Sequence, residues 1–337
     1  MKEPVASPGA YHHCVSRVAD GEFILGDKEK DHLVKLMREY ERFCGLHVLA
    51  YCLMSDHFHV VIEVPARPQE TLGDQELLAK VRRIPGQNRA AVIEQQLAEL
   101  RQRGDTAAAE ALKQRVGERM FDMSQFMKPL KQRFSLWYNS AHGRTGTLWE
   151  QRFKSILVEG TSLALGVVAA YVDLNPVRAG LVSDPKDYRW CGYGEAMSGG
   201  AKAKEGLRRL MTGALGEAVT FKEAAAEYQE LLFGPKPEAG GEPSGGRVAS
   251  RGMSAAEAAE VEKAGMRLPI ADYLRMRVRY FSDGVAVGSR DFVDRVFAAY
   301  RDRFGAKRKT GARQMRLVDS VELYSMRNLR IKVFGKS

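Results

Sequence analysis

Apolar and polar positions along this chain change period several times, and each change marks an element. YHHCVSR (Tyr11 to Arg17) reads as a short strand. In DKEKDHLVKLMREYERF (Asp27 to Phe43), Leu33, Leu36, Met37 and Tyr40 recur at helical spacing. Asp27 or Asp31 could cap that helix, and Gly45 ends it. LHVLAYCLM (Leu46 to Met54) and HFHVVIEVP (His57 to Pro65) read as two strands joined by a tight Ser-Asp turn. The N-terminal order is therefore β-α-β-β.

Residues 66–118 lose this rhythm. They are rich in Gln, Ala, Glu and Arg and predict one or two exposed helices, an insertion forming a solvated arm. Ser124 to Asn139 is amphipathic and carries Lys128, Lys131 and Arg133; Pro129 kinks it or marks its real start. GTLWEQRFKSILVE (Gly146 to Glu159) predicts a strand or hairpin. TSLALGVVAAYVDL (Thr161 to Leu174) predicts a helix that stops at Asn175-Pro176, because proline disfavours helix at the residue before it. DPKDYRWCGYGEAM (Asp184 to Met197) is an aromatic-rich closing segment. SGGAKAKEG (198–206) and, more strongly, the Gly/Pro/Ser-rich stretch 234–252 read as linkers. From Ser254 the pattern predicts a small helical unit, clearest at Asp291 to Phe304, followed by a basic tail. The division expected is 1–197, a linker region 198–253 with a helical segment, and a basic helical unit 254–337.

Composition adds three constraints. Hydrophobic residues make up 45% of the 337, enough for a real core. No run of 18 apolar residues exists and the N-terminus lacks an apolar signal core, so neither a membrane span nor secretion by that route is expected. Cys14, Cys44, Cys52 and Cys191 form no CxxC pair, which fits buried free thiols in a reducing cytoplasm. The formal charge of +10 favours an anionic partner, and nucleic acid is the commonest.

Chemistry enters at SDHFHVVIEV. On a strand, residues i and i+2 share a face, so His57 and His59 stand side by side with Phe58 opposite. Neutral imidazoles so placed suit a divalent metal, and an added oxygen ligand would suit Mg²⁺ or Mn²⁺. They also fit plain core or surface histidines. His12, His13, His32, His47 and His142 have weaker claims; His12 and His13 face opposite ways. Tyr171 and Asn175 are four apart and share one helix face. They fit a nucleophile and a metal-ligand oxygen, or, as helix patterning alone favours, a core tyrosine and a helix end.

Taken in order, PGAYHHCVSR, LAYCLMSDHFHVVIEV, FMKPLKQRFSLWYNSAHGRTGTLWEQRFKSILVE, YVDLNPVRAGLV and DYRWCGYGEA resemble the single-tyrosine HUH transposases. Within them the REP-associated tyrosine transposases are the nearer branch. The resemblance spans about residues 8–197 without 66–118. It implies an α+β fold of the HUH endonuclease, ferredoxin-like kind: a central antiparallel sheet with flanking helices, plus the helical insertion and the small helical C-terminal unit. It implies a DNA transposase that cuts and rejoins single-stranded, hairpin-flanked DNA through a 5′-phosphotyrosine.

Carried over residue by residue, His57, His59 and Asn175 would hold Mg²⁺ or Mn²⁺, and Tyr171 would be the nucleophile. Tyr138 competes but lacks the YxxxNPV box. Asp56 would orient an imidazole or simply shape the turn. Lys128, Lys131, Arg133, Arg144, Arg152, Lys154 and Arg178 would track DNA phosphates, with Trp137, Trp149 and Phe153 stacking on bases or serving as core. Lys307, Arg308, Lys309, Arg313 and Arg316 form a denser basic cluster for non-specific grip. The expected partner is single-stranded or hairpin DNA, with no membrane, in a cytoplasmic, nucleoid-associated monomer or homodimer. A non-catalytic nucleic-acid-binding protein, a metal-dependent hydrolase, and a domesticated enzyme acting on repeat hairpins are the competing readings.

Overall fold

The structure is a computed structural model, and it describes residues 9–69, 72–84, 88–215, 219–233, 281, 284–315 and 322–327. The linker expected at 234–252, most of the unit expected from 254, and Arg316 lie outside the described residues.

The β-α-β-β start is present as β1 (Gly9–Arg17), α1 (Asp27–Cys44), β2 (His47–Leu53) and β3 (His57–Pro65). Neither Asp27 nor Asp31 caps α1: Gly26 is the cap residue, without a side-chain bond. Gly45 does end the helix, in the left-handed region at φ 65°, where a Cβ would be strained. β3 lies between β2 and β1, antiparallel to both.

Three helices, rather than one or two, fill 66–118: α2 (Asp74–Val81), α3 (Arg89–Gln102) and α4 (Thr106–Gly117). They are less of a free arm than expected. Leu77 and Val81 of α2 join the main core, while α3 and α4 pack on each other around Leu97, Ala109 and Leu112.

The long helix α5 (Met123–Ala141) starts at Asp122, whose carboxylate accepts from the backbone N–H groups of Ser124 and Gln125 at 2.7 and 3.0 Å. That is a strong N-cap, and Pro129 lies inside the helix. Of Gly146 to Glu159 only β4 (Lys154–Val158) is a regular strand; Trp149 bridges to Val18. α6 (Ser162–Asp173) is capped by Thr161 and passes at Leu174 into the short α7 (Asn175–Arg178). α8 (Gly192–Met197) follows.

The stretch 198–206, expected as a linker, is instead the start of α9 (Ala201–Leu215), with Leu207, Leu210 and Met211 buried. Its physical reason is Gly206. A Cβ there would lie 2.7 Å from the Val48 carbonyl oxygen, so glycine lets the helix approach β2 closely. α10 (Phe221–Phe233) packs beside it.

Past 254 the helical expectation needs correction. The described residues form one clear helix, α11 (Arg290–Ala299), and three strands: β5 (Gly284–Gly288), β6 (Arg313–Gln314) and β7 (Tyr324–Arg327). These strands extend the first sheet. Among the described residues the order is β2-β3-β1-β4-β5-β7-β6, and β4–β5 is its parallel pairing. The strands are short and GVAVG carries little alternation, which is why the pattern missed them.

Helices cover both faces. Phe58, Val60 and Ile62 of β3 point to the α1–α5 side, with Phe126, Leu130 and Phe134. Val61 points to the α6–α9–α10 side, with Val167, Val168 and Tyr171. Each such large apolar side chain stabilises the fold by roughly 1.5–3 kcal/mol on full burial. Cys14, Cys44, Cys52 and Cys191 are buried free thiols, as expected.

Candidate active site

β3 places His57 and His59 on the α6 face of the sheet. Their rings stand edge-on with centroids 5.0 Å apart. Asp56, in the turn before β3, holds His57: its Oδ1 lies 2.6 Å from Nδ1. Arg17 reaches the same carboxylate at 3.2 Å. The His57 hydrogen bond above all holds the Asp56 carboxyl below its ordinary range. Asp56 thus orients the imidazole of its own neighbour, with Nδ1–H directed to the carboxylate and Nε2 left as a lone pair.

His59 is fastened differently. The antiparallel register sets His13 against Val61, so His13 is the diagonal neighbour of His59 on the same face. His13 Nε2 and His59 Nδ1 are 2.9 Å apart, and the rings stack at 5.1 Å. Both rings are buried. Burial drives His13 down to about 3, against a smaller opposing influence from the Phe281 backbone. Burial likewise holds His59 well below the ordinary range, reinforced by His13, His57, Arg178 and Arg17. Both imidazoles are therefore neutral near pH 7. If His59 Nδ1–H donates to His13, then His59 Nε2 is also a free lone pair. Sequence reasoning gave His13 a weaker claim; its alternation with Val15 and Arg17 was the one available signal.

α6 lays Tyr171 across this pair. Its ring is edge-on to His59 at 5.7 Å and to His13 at 6.0 Å. Phe281 stacks on it at 4.5 Å, and Tyr171 is 1% exposed. Burial pushes its hydroxyl up, while the positive charge of Arg178 opposes that rise. The Arg178 guanidinium lies 4.9 Å from the ring centre.

Asn175 sits one turn on. Its Nδ2 donates to the carbonyls of Tyr171 and Val172, 3.0 Å each, which closes the end of α6. Its Oδ1 accepts from Arg178 Nη2. The donor chemistry fits a divalent cation in part. Two imidazole nitrogens could coordinate a cation, while the carboxamide oxygen, a hard donor, is engaged by Arg178. Among the described residues no cluster of three His, Cys, Asp and Glu offers an alternative.

The sequence-derived DNA contacts separate into groups. Lys128, Lys131 and Arg152 line one groove of about 810 Å³ between α5 and the segment before β4, with Leu136, Trp149 and Phe153. Lys131 is buried, donates to the Gln151 carbonyl at 2.8 Å, and is driven by burial down to about 8. Arg144 instead pairs with Glu22 at 3.6 Å. The other three of the seven stand elsewhere: Arg133 on α5, Lys154 exposed at the start of β4, and Arg178 beside Tyr171. Trp137 stacks on His32 at 3.9 Å and so joins α5 to α1. Trp149 meets Phe58 edge-on at 5.5 Å, directly behind the histidine face. Lys307, Arg308 and Arg313 surround a second recess in the C-terminal part.

No described helix is long and apolar enough to cross a membrane. A search of curated proteins finds no match. Among solved structures, the chain is similar to a REP-associated tyrosine transposase bound to a REP hairpin, at 12% identity and a TM-score of 0.34, over 59% of this chain and 87% of that one. The family model described as "Transposase IS200 like" matches residues 6–72, which hold His13, Asp56, His57 and His59. That segment, about a fifth of the chain, is what is similar to the IS200-like transposases.

Proposed function

We propose that this protein is a DNA strand transferase that cuts and rejoins single-stranded DNA beside a hairpin, with Tyr171 as nucleophile. The observation that carries the reading is the meeting of Tyr171 from α6 with His59 from β3 at 5.7 Å, with Arg178 against the same ring. In the step, the Tyr171 phenol gives up its proton and its oxygen bonds to phosphorus. The P–O3′ bond breaks with its electron pair, and O3′ takes up a proton. A second 3′-OH reverses the exchange, so the ester bond energy is conserved and no nucleotide is consumed.

A divalent cation, Mg²⁺ or Mn²⁺, would be held by His57, His59 and Asn175, and when bound would polarise the phosphate. The chain's own residues do the rest. Asp56 and His13 hold the two rings through Nδ1, which leaves Nε2 free when each Nδ1 carries the proton. Arg178 favours the ionised phenol. The groove with Lys128, Lys131 and Arg152 offers an anionic strand a path around the end of the sheet. It reaches the His57 side through Trp149, which bridges to Val18, and Arg17, which pairs with His57.

The test is incubation with Mn²⁺ and labelled single-stranded oligonucleotides that contain hairpins, read on a denaturing gel. A covalent protein–DNA band is expected, absent in Tyr171→Phe and in His57→Ala/His59→Ala. A band that persists in Tyr171→Phe rejects this nucleophile. One observation favours a second reading: Tyr171 is covered by Phe281. A protein that binds hairpins without cutting them would give no band and identical affinity for wild type and Tyr171→Phe.

A further inference from the structure

Arg178 stands out among the charged side chains near Tyr171. It forms no ion pair among the described residues, and its Nη1 is buried with no hydrogen-bond partner there. Its neighbours are neutral: the Tyr171 phenol, the Asn175 carboxamide, and His59, which its charge helps keep unprotonated. A guanidinium with an idle buried donor and no anion is an incomplete anion site, since the planar fork suits two oxygens of one phosphate. Its second donor meanwhile occupies Asn175 Oδ1, the hard oxygen of the ligand set proposed above. That oxygen has two lone pairs. A guanidinium and a dication on it would nonetheless stand a few ångströms apart and repel.

We propose that Arg178 is a catalytic residue with two alternative partners: Asn175 Oδ1 in the free protein, and a non-bridging oxygen of the scissile phosphodiester once DNA is bound. The exchange couples two events. Arrival of the phosphate draws Arg178 away, and the same movement releases the Asn175 oxygen towards the cation. Without DNA, Arg178 therefore competes with the metal; with DNA, it supports the reaction. The phosphate half rests on the strand-transfer reading above.

The coupling makes opposite signs for one substitution. In the full chain without DNA, Mn²⁺ titration followed by electron paramagnetic resonance is expected to show Arg178→Ala binding about 5-fold or more tighter than wild type, the scale of ordinary site coupling. On hairpin-bearing single-stranded DNA at saturating Mn²⁺, the same variant is expected to form adduct about 100-fold or more slowly, as for loss of one transition-state donor. Arg178→Lys keeps the charge but not the fork, so its Mn²⁺ affinity should match wild type while adduct formation still slows. Thermal melting of both variants identifies a folding defect, and Arg178→Lys then carries the test. Unchanged or weaker Mn²⁺ binding by Arg178→Ala overturns the competition. Adduct formation at the wild-type rate overturns the phosphate contact. A wild-type protein that forms no adduct sinks the strand-transfer reading and the phosphate half with it, while the Mn²⁺ titration still decides the Asn175 half.

Discussion

Asp173 shows how much one residue in a motif can hide. It precedes Leu174 and Asn175 in YVDLNPV, and its carboxylate is buried. Tyr228 donates to Oδ2 at 2.7 Å and the Tyr193 backbone N–H to Oδ1 at 3.2 Å, so it fastens α10 and α8 to α6. Burial pushes its carboxyl from 3.8 up to about 7. A folded-state value raised above the unfolded one means stability present below about pH 4 and lost as pH rises through 7. Asp173→Asn removes that loss. The difference in melting temperature, variant minus wild type, is expected to climb between pH 4 and 8; a flat difference would show that the carboxyl ionises freely. The histidines work in the other direction, because His12 and His13 are lowered to about 4 and 3 and lose stability as pH falls below 6.5. Spacing singled out His57 with His59 and Tyr171 with Asn175 as pairs on shared faces, and only the resemblance to the family supplied their expected roles. Local spacing could not show the partners of His59 or Asp173, which depend on strand register and on a helix 55 residues further along.

At the scale of elements, strong periods were read well and weak ones were not. α1, β2, β3, α5 and α6 fall within a few residues of their expected bounds, since each carries a strong apolar run or helical period. β5 and its neighbours were missed, and they are held to the rest by a joint invisible to periodicity. Glu159, just after β4, accepts from the Ser289 backbone N–H at 2.6 Å and from its hydroxyl at 2.8 Å. The same hydroxyl accepts from Phe292 N–H and caps α11. Glu159→Ala is expected to cost about 2 kcal/mol, the range for hydrogen bonds to a charged group. Ser289→Ala should cost about 1 kcal/mol for the lost cap. Because they share a bond, the double variant should lose less than the two single losses together, as read from urea midpoints. Strict additivity would break the proposed link between β4 and the C-terminal strands.

For the whole molecule, the formal charge of +10 matters less than where the cations lie. Lys128, Lys131 and Arg152 share one groove, whereas Arg144 is spent on Glu22. If the two accessible cations of the groove, Lys128 and Arg152, each neutralise one phosphate of a single strand, log affinity should fall against log salt with a slope of about −1.4. Lys128→Ala should make that slope shallower by about 0.7, and Arg144→Ala should leave it nearly unchanged. Equal effects of the two variants would mean that DNA follows total charge and ignores the groove.

The Phe281 ring that lies on Tyr171 reaches it from about 110 residues further along the chain. A ribosome adds ~5–20 residues per second. For roughly 5 to 20 s of each molecule's birth, then, the tyrosine exists without its aromatic cover. The finished protein has that ring in place, so synthesis itself gives every copy one brief interval in which its Tyr171 is less enclosed than it will be again at rest.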